Sequence, residues 1–178
     1  MPERAIRIEG GVAYVPLTKG YEAILDVEDV PLVEGFCWRA SVARRADGSV
    51  RTVYALRWGQ GSNGKRCLVY LHRVLMSAPT ELEVDHRDGN GLNNRKRGEA
   101  GNLRVATRSQ NQHNQHIRPG NTSGFKGVTF FKRTGRWRAQ ITTDKAFKHI
   151  GYFKCRTSAA IAYMKASKAL HGEFGRST

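Results

Sequence analysis

Alternating hydrophobic and polar positions predict short strands through most of the first 75 residues. "GGVAYVPL" (residues 10–17) predicts one strand. "FCWRASVARRADGSVRTVYALRW" (residues 36–58) predicts two strands joined by a turn at Asp47 and Gly48. "RCLVYLHRVLM" (residues 66–76) predicts a strand that leads into a short helix. The region has no catalytic cluster of its own, so we interpret it as a β-rich scaffold.

Residues 82–116 predict a strand, a long polar loop, a second strand and a helix. The strands are "LEVDH" and "LRVA". Thr107 is typical of a helix N-cap, and Gln110 stands three residues later, as a capping box requires. Asn111 then lies about one turn into the helix. We expect its side chain to face the strand that ends in Asp85 and His86.

Residues 124–178 predict three strands and a helix, which completes an α+β protein. The strands are "FKGVTFF", "RWRAQIT" and "KHIGYF", and the helix runs from Thr157 or Ser158 to about Leu170. Alternation in the middle strand places Trp137, Ala139 and Ile141 on one face and Arg136, Arg138 and Gln140 on the other. An apolar helix stripe is expected to pack on the Trp137 face; it comprises Ala159, Ala162, Tyr163, Ala166 and Leu170.

The charge of the chain changes near residue 117. The 178 residues carry a net charge of +15; residues 1–116 contribute +4 and residues 117–178 contribute +11. Such an excess indicates a polyanionic partner, usually nucleic acid, although a basic but otherwise ordinary enzyme is the simpler alternative. "HIRPGNTSG" (residues 116–124) has the composition of a linker, so we place a domain boundary there.

Cys37, Cys67 and Cys155 are scattered and lack zinc-site spacing, which predicts reduced structural thiols in a cytoplasmic protein. His113 and His116 have no cysteine partners either, so we favour solvated or phosphate-facing side chains over zinc ligands. The N-terminus has no apolar signal region, and the chain has no long apolar run. We therefore expect neither a secretion signal nor contact with a membrane.

The pair Asp85 and His86 has the residue types that phosphodiester hydrolysis needs. Water needs a general base near neutral pH, and histidine is the usual choice. The phosphate needs a hard cation, Mg²⁺ or Mn²⁺, for which a carboxylate and an amide oxygen are suitable ligands. Asp85 supplies the carboxylate and Asn111 the amide, provided that the strand ends or twists at His86. The alternative is a purely structural loop, in which asparagine side chains stabilise turns and the histidine has no catalytic role.

The segment "VDHRDGNGLNNR…GNLRVATRSQNQHN" resembles the HNH nuclease motif, in its phage and group I intron homing endonuclease branch. The resemblance implies a ββα-metal fold, with Asp85 and Asn111 as ligands of one divalent metal ion and His86 as general base. It also implies that Asn102 braces the loop and orients His86, with both counted as catalytic, and that Arg104 faces phosphate. His72, in "LHR", is a possible further site residue that we expect to be structural.

The loop "RKRGEAG" (residues 95–101) is longer than this family usually has. It either bulges outward, with its basic residues touching phosphate, or displaces Asn102 and weakens activity.

Residues 123–174 resemble the Apetala-2/ethylene-response-factor DNA-binding domain, through "FKGV", "GRWRAQI", "IGYF" and a helix ending in "HGEF". The resemblance implies a three-stranded antiparallel sheet, packed on one helix, that enters the major groove. The residues it implies for DNA contact are Lys126, Lys132, Arg133, Arg136, Trp137, Arg138 and Lys148. Our strand alternation turns Trp137 toward the helix, so its role stays open.

These observations predict a DNA endonuclease whose substrate is double-stranded DNA. The scaffold and nuclease module occupy residues 1–116 (core motif about 70–116), a linker 117–123 and the DNA-binding domain 124–178. One active site per chain predicts nicking unless two chains meet. A non-catalytic DNA-binding regulator is the main alternative. An RNA-binding protein is a second one, and the expected face of Arg and Gln, without stacking rings, argues against it.

Overall fold

The computed structural model describes residues 5–61, 63–99, 101–118, 120–143 and 146–176 of the chain. These divide into two units, Met1–Ala106 and Thr107–Thr178. Both units are built mainly from small antiparallel sheets with few helices, which confirms the α+β class at that level. Pro119, inside the predicted linker, lies outside the described residues.

The first unit begins with an antiparallel sheet of β1 (Arg7–Glu9), β2 (Val12–Pro16) and β3 (Glu22–Asp26). The predicted strand in "GGVAYVPL" is β2. Alternate residues of these strands, such as Ala13, Val15 and Leu25, are fully or almost fully buried. Two 3-10 segments, Thr18–Gly20 and Val27–Leu32, flank β3.

The second sheet of this unit contains β4 (Arg39–Arg44), β5 (Val50–Gln60) and β6 (Arg66–Tyr70), followed directly by helix α1 (Leu71–Met76). The predicted hairpin is confirmed, and Gly48 takes the positive φ of 81° that its turn needs. The two sheets share one core with the strands that follow, in which Leu25, Val53, Leu71, Val84 and Leu103 pack together. This core holds the scaffold and the candidate site in one unit.

Strands β7 (Glu83–His86) and β8 (Leu103–Ala106) pair antiparallel, as predicted, with the long polar loop between them. The loop is held by a buried carboxylate of β3. Asp26 accepts hydrogen bonds from the backbone N–H groups of Lys96 (2.8 Å) and Arg97 (3.0 Å) and from Nε of Arg95 (3.1 Å).

Asp29 binds the same segment, through Nζ of Lys96 (3.0 Å) and Nη2 of Arg97 (3.1 Å). These side chains compensate two buried acids of the scaffold, so the segment is held against the scaffold and does not bulge outward. Contact of its basic residues with phosphate stays a prediction.

The second unit contains β9 (Val128–Phe131), β10 (Arg136–Thr143) and β11 (Ala146–Phe153) in an antiparallel sheet covered on one face by α3 (Arg156–His171). Ala139 and Ile141 are buried against the helix and Trp137 packs beside them, as the alternation predicts. The predicted apolar stripe of the helix is wrong at its C-terminal end. Leu170 is 44% exposed, because the buried positions of α3 end at Ser167.

Helix α2 (Arg108–Asn114) begins with the predicted capping box, in which Thr107 and Gln110 bond each other's backbone N–H groups. The helix belongs to the second unit. Nζ of Lys126 donates to the carbonyl oxygens of His113 (2.6 Å) and Gln115 (3.0 Å), and the His113 ring stacks on His171 at 3.6 Å. The boundary between the units thus precedes the change in charge near residue 117.

The three cysteines are free thiols, in agreement with the sequence. Among the described helices, none combines the length and the apolar character that crossing a bilayer needs.

The pairing of Asp26 predicts a pH-dependent stability. Burial raises the pKa of Asp26, but the hydrogen bonds from residues 95–97 outweigh it and hold this pKa below its ordinary value of 3.8. A carboxyl pKa that is lowered by folding stabilises the protein above the unfolded pKa, and this contribution is lost as the pH falls through the folded one. We expect Asp26→Asn to lower the free energy of unfolding by about 3 kcal/mol at pH 7 and by much less at pH 3.

The measurement is urea unfolding at both pH values. Asp47→Asn, in the exposed turn between β4 and β5, is the matched control and should have a smaller effect. A loss for Asp26→Asn that is the same at pH 3 as at pH 7 would contradict this assignment.

Candidate functional site

The candidate site lies at the end of β7, where Asp85 pairs with Arg104 and His86 pairs with Leu103 of β8. The chain turns directly after His86, whose carbonyl accepts from the N–H of Gly89 at 2.9 Å. Asp85 is 4% exposed and His86 is 5% exposed. The strand ends at the histidine, which the predicted use of both side chains required.

The imidazole of His86 is oriented by Asn94. Its Nε2 lies 3.3 Å from Oδ1 of Asn94, whose Nδ2 donates to the carbonyl of Leu92 at 3.0 Å. Since Oδ1 of Asn94 only accepts, Nε2 donates, and the lone pair of the neutral ring is on Nδ1. Burial lowers the pKa of His86 below its ordinary value of 6.5, against the raising effects of Asn94, Asp88 and Asp85. The ring is therefore uncharged at neutral pH.

Aromatic rings surround this imidazole. Tyr54 of β5 lies 5.7 Å and His72 of α1 lies 5.2 Å from the His86 ring, between centroids. Burial, with smaller contributions from the His86 and Arg73 charges, lowers the pKa of His72 to about 3. His72 thus packs as an uncharged ring, in keeping with the structural role expected for it, and adds no positive charge beside His86.

The loop makes a close approach to β5 at Gly91. A Cβ on Gly91 would lie 2.4 Å from the carbonyl oxygen of Val53 and 2.5 Å from the ring of Tyr54. Only glycine therefore lets the loop rest on the strand that carries Tyr54. Neither Asn94 nor Tyr54 was among the site residues predicted from the sequence. The only available signal for them was the spacing of Gly and Asn in "GNGLNN".

Asp85 is held by Arg104 in a buried ion pair. Nε and Nη2 of Arg104 lie 2.8 Å and 2.7 Å from Oδ2 of Asp85. Arg104 is 7% exposed, so the structure differs from the phosphate-facing position that the resemblance implies. The cause is the register, because residues directly opposite each other in an antiparallel pair project to the same face of the sheet.

Asn102 braces the loop rather than the histidine. Its Oδ1 accepts from the N–H of Asp88 (2.9 Å), and its Nδ2 donates to Oδ1 of Asp88 (2.9 Å) and to the carbonyl of Asn93 (2.7 Å). Its backbone carbonyl accepts from the N–H of Arg87 at 2.9 Å. Asn102 is therefore a positioning residue, and the amide that contacts His86 is that of Asn94.

Asp85 is the predicted metal ligand that lies at this site. Within the described ranges, no group of three or more His, Cys, Asp or Glu side chains is arranged to hold a metal. Asp85 offers a carboxylate, and phosphate, amide and water oxygens are the other ligands that Mg²⁺ and Mn²⁺ accept. Asn111, the second predicted ligand, lies on α2 in the second unit, so its role stays a prediction.

The outer face of the second unit's sheet, defined as the face opposite α3, carries Arg136 and Arg138. The turn between β9 and β10 carries Lys132 and Arg133, both exposed. These four predicted DNA-binding residues therefore lie together at one end and on one face of the sheet.

Three predicted DNA contacts lie elsewhere. Nζ of Lys126 is bonded to two carbonyl oxygens, and burial together with the charge of Arg176 lowers its pKa to about 8. Trp137 packs on the helix side, 5.1 Å from the ring of Phe130. Lys148 is exposed but pairs with buried Ile141, which turns it away from the outer face.

The fold and site define an α+β protein with a buried Asp–His pair on a two-stranded sheet and a separate unit with a basic sheet face. Over 99 residues the chain is 31% identical to Protein 3.8 of Escherichia phage T7, an alignment that covers 55% of this chain and 77% of that protein. The chain belongs to the same family as phage T7 Protein 3.8. No family model and no solved structure matches it.

The buried ion pair predicts a strong coupling between its partners. Arg104→Met leaves the Asp85 carboxylate buried without its cation and should lower the free energy of unfolding by about 3–5 kcal/mol. The double variant with Asp85→Asn should lose clearly less than the sum of the two single losses, because the stranded charge is gone. Urea unfolding of the four proteins measures this coupling.

Arg51→Met, on an exposed position of β5, is the matched control and should change stability little. Additive losses for the two single substitutions would show that the pair is not coupled.

Proposed function

We propose that this protein is a DNA endonuclease that hydrolyses phosphodiester bonds with His86 as general base and one divalent metal ion, Mg²⁺ or Mn²⁺. The observation that supports this most is the state of His86. Its ring is buried, uncharged at neutral pH and oriented by Asn94, directly beside the carboxylate of Asp85. The likeness of the chain to a phage protein supports a phage context, and a homing endonuclease is the kind of phage enzyme that we propose.

His86 accepts the proton of the attacking water at Nδ1. The neutral ring is the basic form, so no proton has to be removed before the reaction. The hydrogen bond from Nε2 to Asn94 and the charges of Asp88 and Asp85 favour the imidazolium that results. Asn102 acts indirectly, because it braces the turn that follows His86.

Asp85 would hold the metal ion through its carboxylate. Asn111, which the motif implies as a second ligand, belongs to the second unit, and its role stays a prediction. When bound, the ion neutralises charge on the phosphate and on the leaving 3′ oxygen. Arg104 already compensates much of the Asp85 charge, so we expect the ion to bind mainly together with the DNA phosphate.

The second unit binds DNA. In this proposal the phosphates are contacted by Lys132, Arg133, Arg136 and Arg138. The net charge of +11 on residues 117–178 supports such contacts. Their resemblance to a domain that enters the major groove supports duplex DNA as the target. Phosphate contacts of this kind make binding fall steeply with salt.

A non-catalytic DNA-binding regulator remains the second candidate. The buried pair of Asp85 and Arg104 favours it, since two strands joined by an ion pair serve a purely structural role equally well. The two functions differ in whether DNA is cut.

Nicking of supercoiled plasmid tests the proposal. The wild type should nick DNA with Mg²⁺ or Mn²⁺ and not with EDTA. His86→Ala should lower the nicking rate about 10²–10⁴-fold, because the general base is lost. A gel shift on the same DNA should be unchanged, since His86 is buried in the first unit.

Ser49→Ala, in the exposed turn between β4 and β5 of the first unit, is the control and should nick like the wild type. A salt-sensitive shift without cutting by the wild type, on DNA that includes its native locus, would establish the regulator instead.

A further inference from the structure

The outer face of the second unit's sheet carries a row of aromatic rings that alternation in β10 does not predict. Phe131 of β9 pairs with Arg136, and Tyr152 of β11 pairs with Arg138, so both rings project from the outer face. His149 joins them, because it pairs with Gln140 across a β-bulge. The bulge lies between Ala139 and Gln140, and it places both His149 and Tyr152 on this face, although they are three positions apart.

The rings form one surface. The centroids of Phe131 and Tyr152 lie 5.5 Å apart, and those of Tyr152 and His149 lie 4.7 Å apart. Tyr152 is 41% exposed, and Phe147, farther along the same face, is 74% exposed. Exposed rings in a contiguous row are unusual on a soluble sheet, and they mark a surface that contacts a partner.

The charges beside the rings define the partner as an anion. The guanidinium carbons of Arg133 and Arg138 lie 5.5 Å and 5.7 Å from the centroid of the Phe131 ring, and Arg136 is exposed next to them. Strands β9, β10 and β11 contain no Asp or Glu. A sheet face with rings and arginines but no carboxylate matches a strand of nucleic acid. The bases of such a strand stack on the rings, and its phosphates pair with the arginines.

We propose that this face binds unpaired bases, so that the second unit holds a single strand of nucleic acid. In a duplex the faces of the bases are covered by their neighbours, and only their edges reach a protein in the groove. Rings on a sheet stack on bases only where the strand is unpaired. The bases stack on the rings of Phe131, Tyr152 and His149. The phosphates pair with the guanidinium groups of Arg133, Arg136 and Arg138. For a DNA nuclease, such a strand is one that local opening of the duplex exposes.

This inference rests on the nucleic-acid role proposed for the second unit and is independent of cleavage by the first. The structure also removes the expectation that argued against an RNA-binding protein. The middle strand does present Arg and Gln, but the flanking strands add the stacking rings that this expectation denied.

Fluorescence anisotropy with the full chain tests the inference, in EDTA to prevent cutting. The probes are a labelled single-stranded DNA of about 16 nucleotides, its duplex and the RNA of the same sequence. Phe131→Leu and Tyr152→Leu keep bulk but remove the ring, and each should weaken binding of the single strand about tenfold. Binding of the duplex should change less than about twofold.

Phe130→Leu is the matched control. Phe130 is the neighbour of Phe131, is 44% exposed and projects to the helix side beside Trp137, so its loss should leave single-strand binding unchanged. Thermal melting of each variant verifies that the second unit is folded. Crosslinking of 5-iodouracil in the bound strand to Phe131 or Tyr152 would establish the contact directly.

Each outcome separates the inference from the proposed function. A duplex that binds while the single strand does not, or equal losses for both in Phe131→Leu, overturns the inference and leaves the nuclease proposal standing. Failure of the wild type to bind any of the three probes overturns the inference and the nucleic-acid role proposed for the second unit, while plasmid nicking still tests cleavage by the first. RNA bound much more tightly than DNA supports stacking on this face and identifies RNA as the strand.

Discussion

The buried carboxylate of Asp26 is the constraint on which the candidate site depends. By accepting two backbone N–H groups and the Arg95 side chain, it holds the segment after Asn94 against the first sheet. The carbonyl of Arg95 then accepts from the N–H groups of Asn102 (2.7 Å) and Leu103 (3.0 Å), which starts β8 at a defined residue. The side chain of Asn102 then makes two hydrogen bonds to Asp88, and these bonds fix the turn that comes after His86. The β-rich scaffold therefore positions the site as well as covering it.

The site keeps its charges few and paired. Arg104 compensates Asp85, while His72 and His86 are both uncharged at neutral pH because they are buried. A neutral His86 is a proton acceptor, and a neutral His72 leaves its electrostatic surroundings unchanged. In the reaction that we propose, the negative charge and its counter-ion would both be brought by the substrate complex.

Local patterns predicted much of the fold. Alternation in residues 36–58 predicted the β4–β5 hairpin, and the spacing of Thr107 and Gln110 predicted the start of α2. Both depend on residues close together in the chain. The contacts that could not be predicted join distant segments, such as Asp26 with Lys96, which are 70 positions apart.

Register explains the remaining differences between the prediction and the structure. The pairing of Asp85 with Arg104 needs the alignment of two strands across a long loop, which composition does not encode. The row of rings in the second unit needs the bulge at Ala139 and Gln140, which reverses simple alternation along β11. The choice of Asn94 rather than Asn102 as the partner of His86 follows from the same loop geometry.

The dependence of single-turnover nicking on pH tests most directly whether His86, as it is held here, acts as the base. Burial lowers its pKa, so the acid limb of the rate profile should lie below pH 6.5. Asn94→Leu removes a hydrogen bond that raises this pKa, and it should move the limb to still lower pH and reduce the plateau rate. An acid limb at or above pH 6.5, or one that Asn94→Leu leaves in place, would contradict the account.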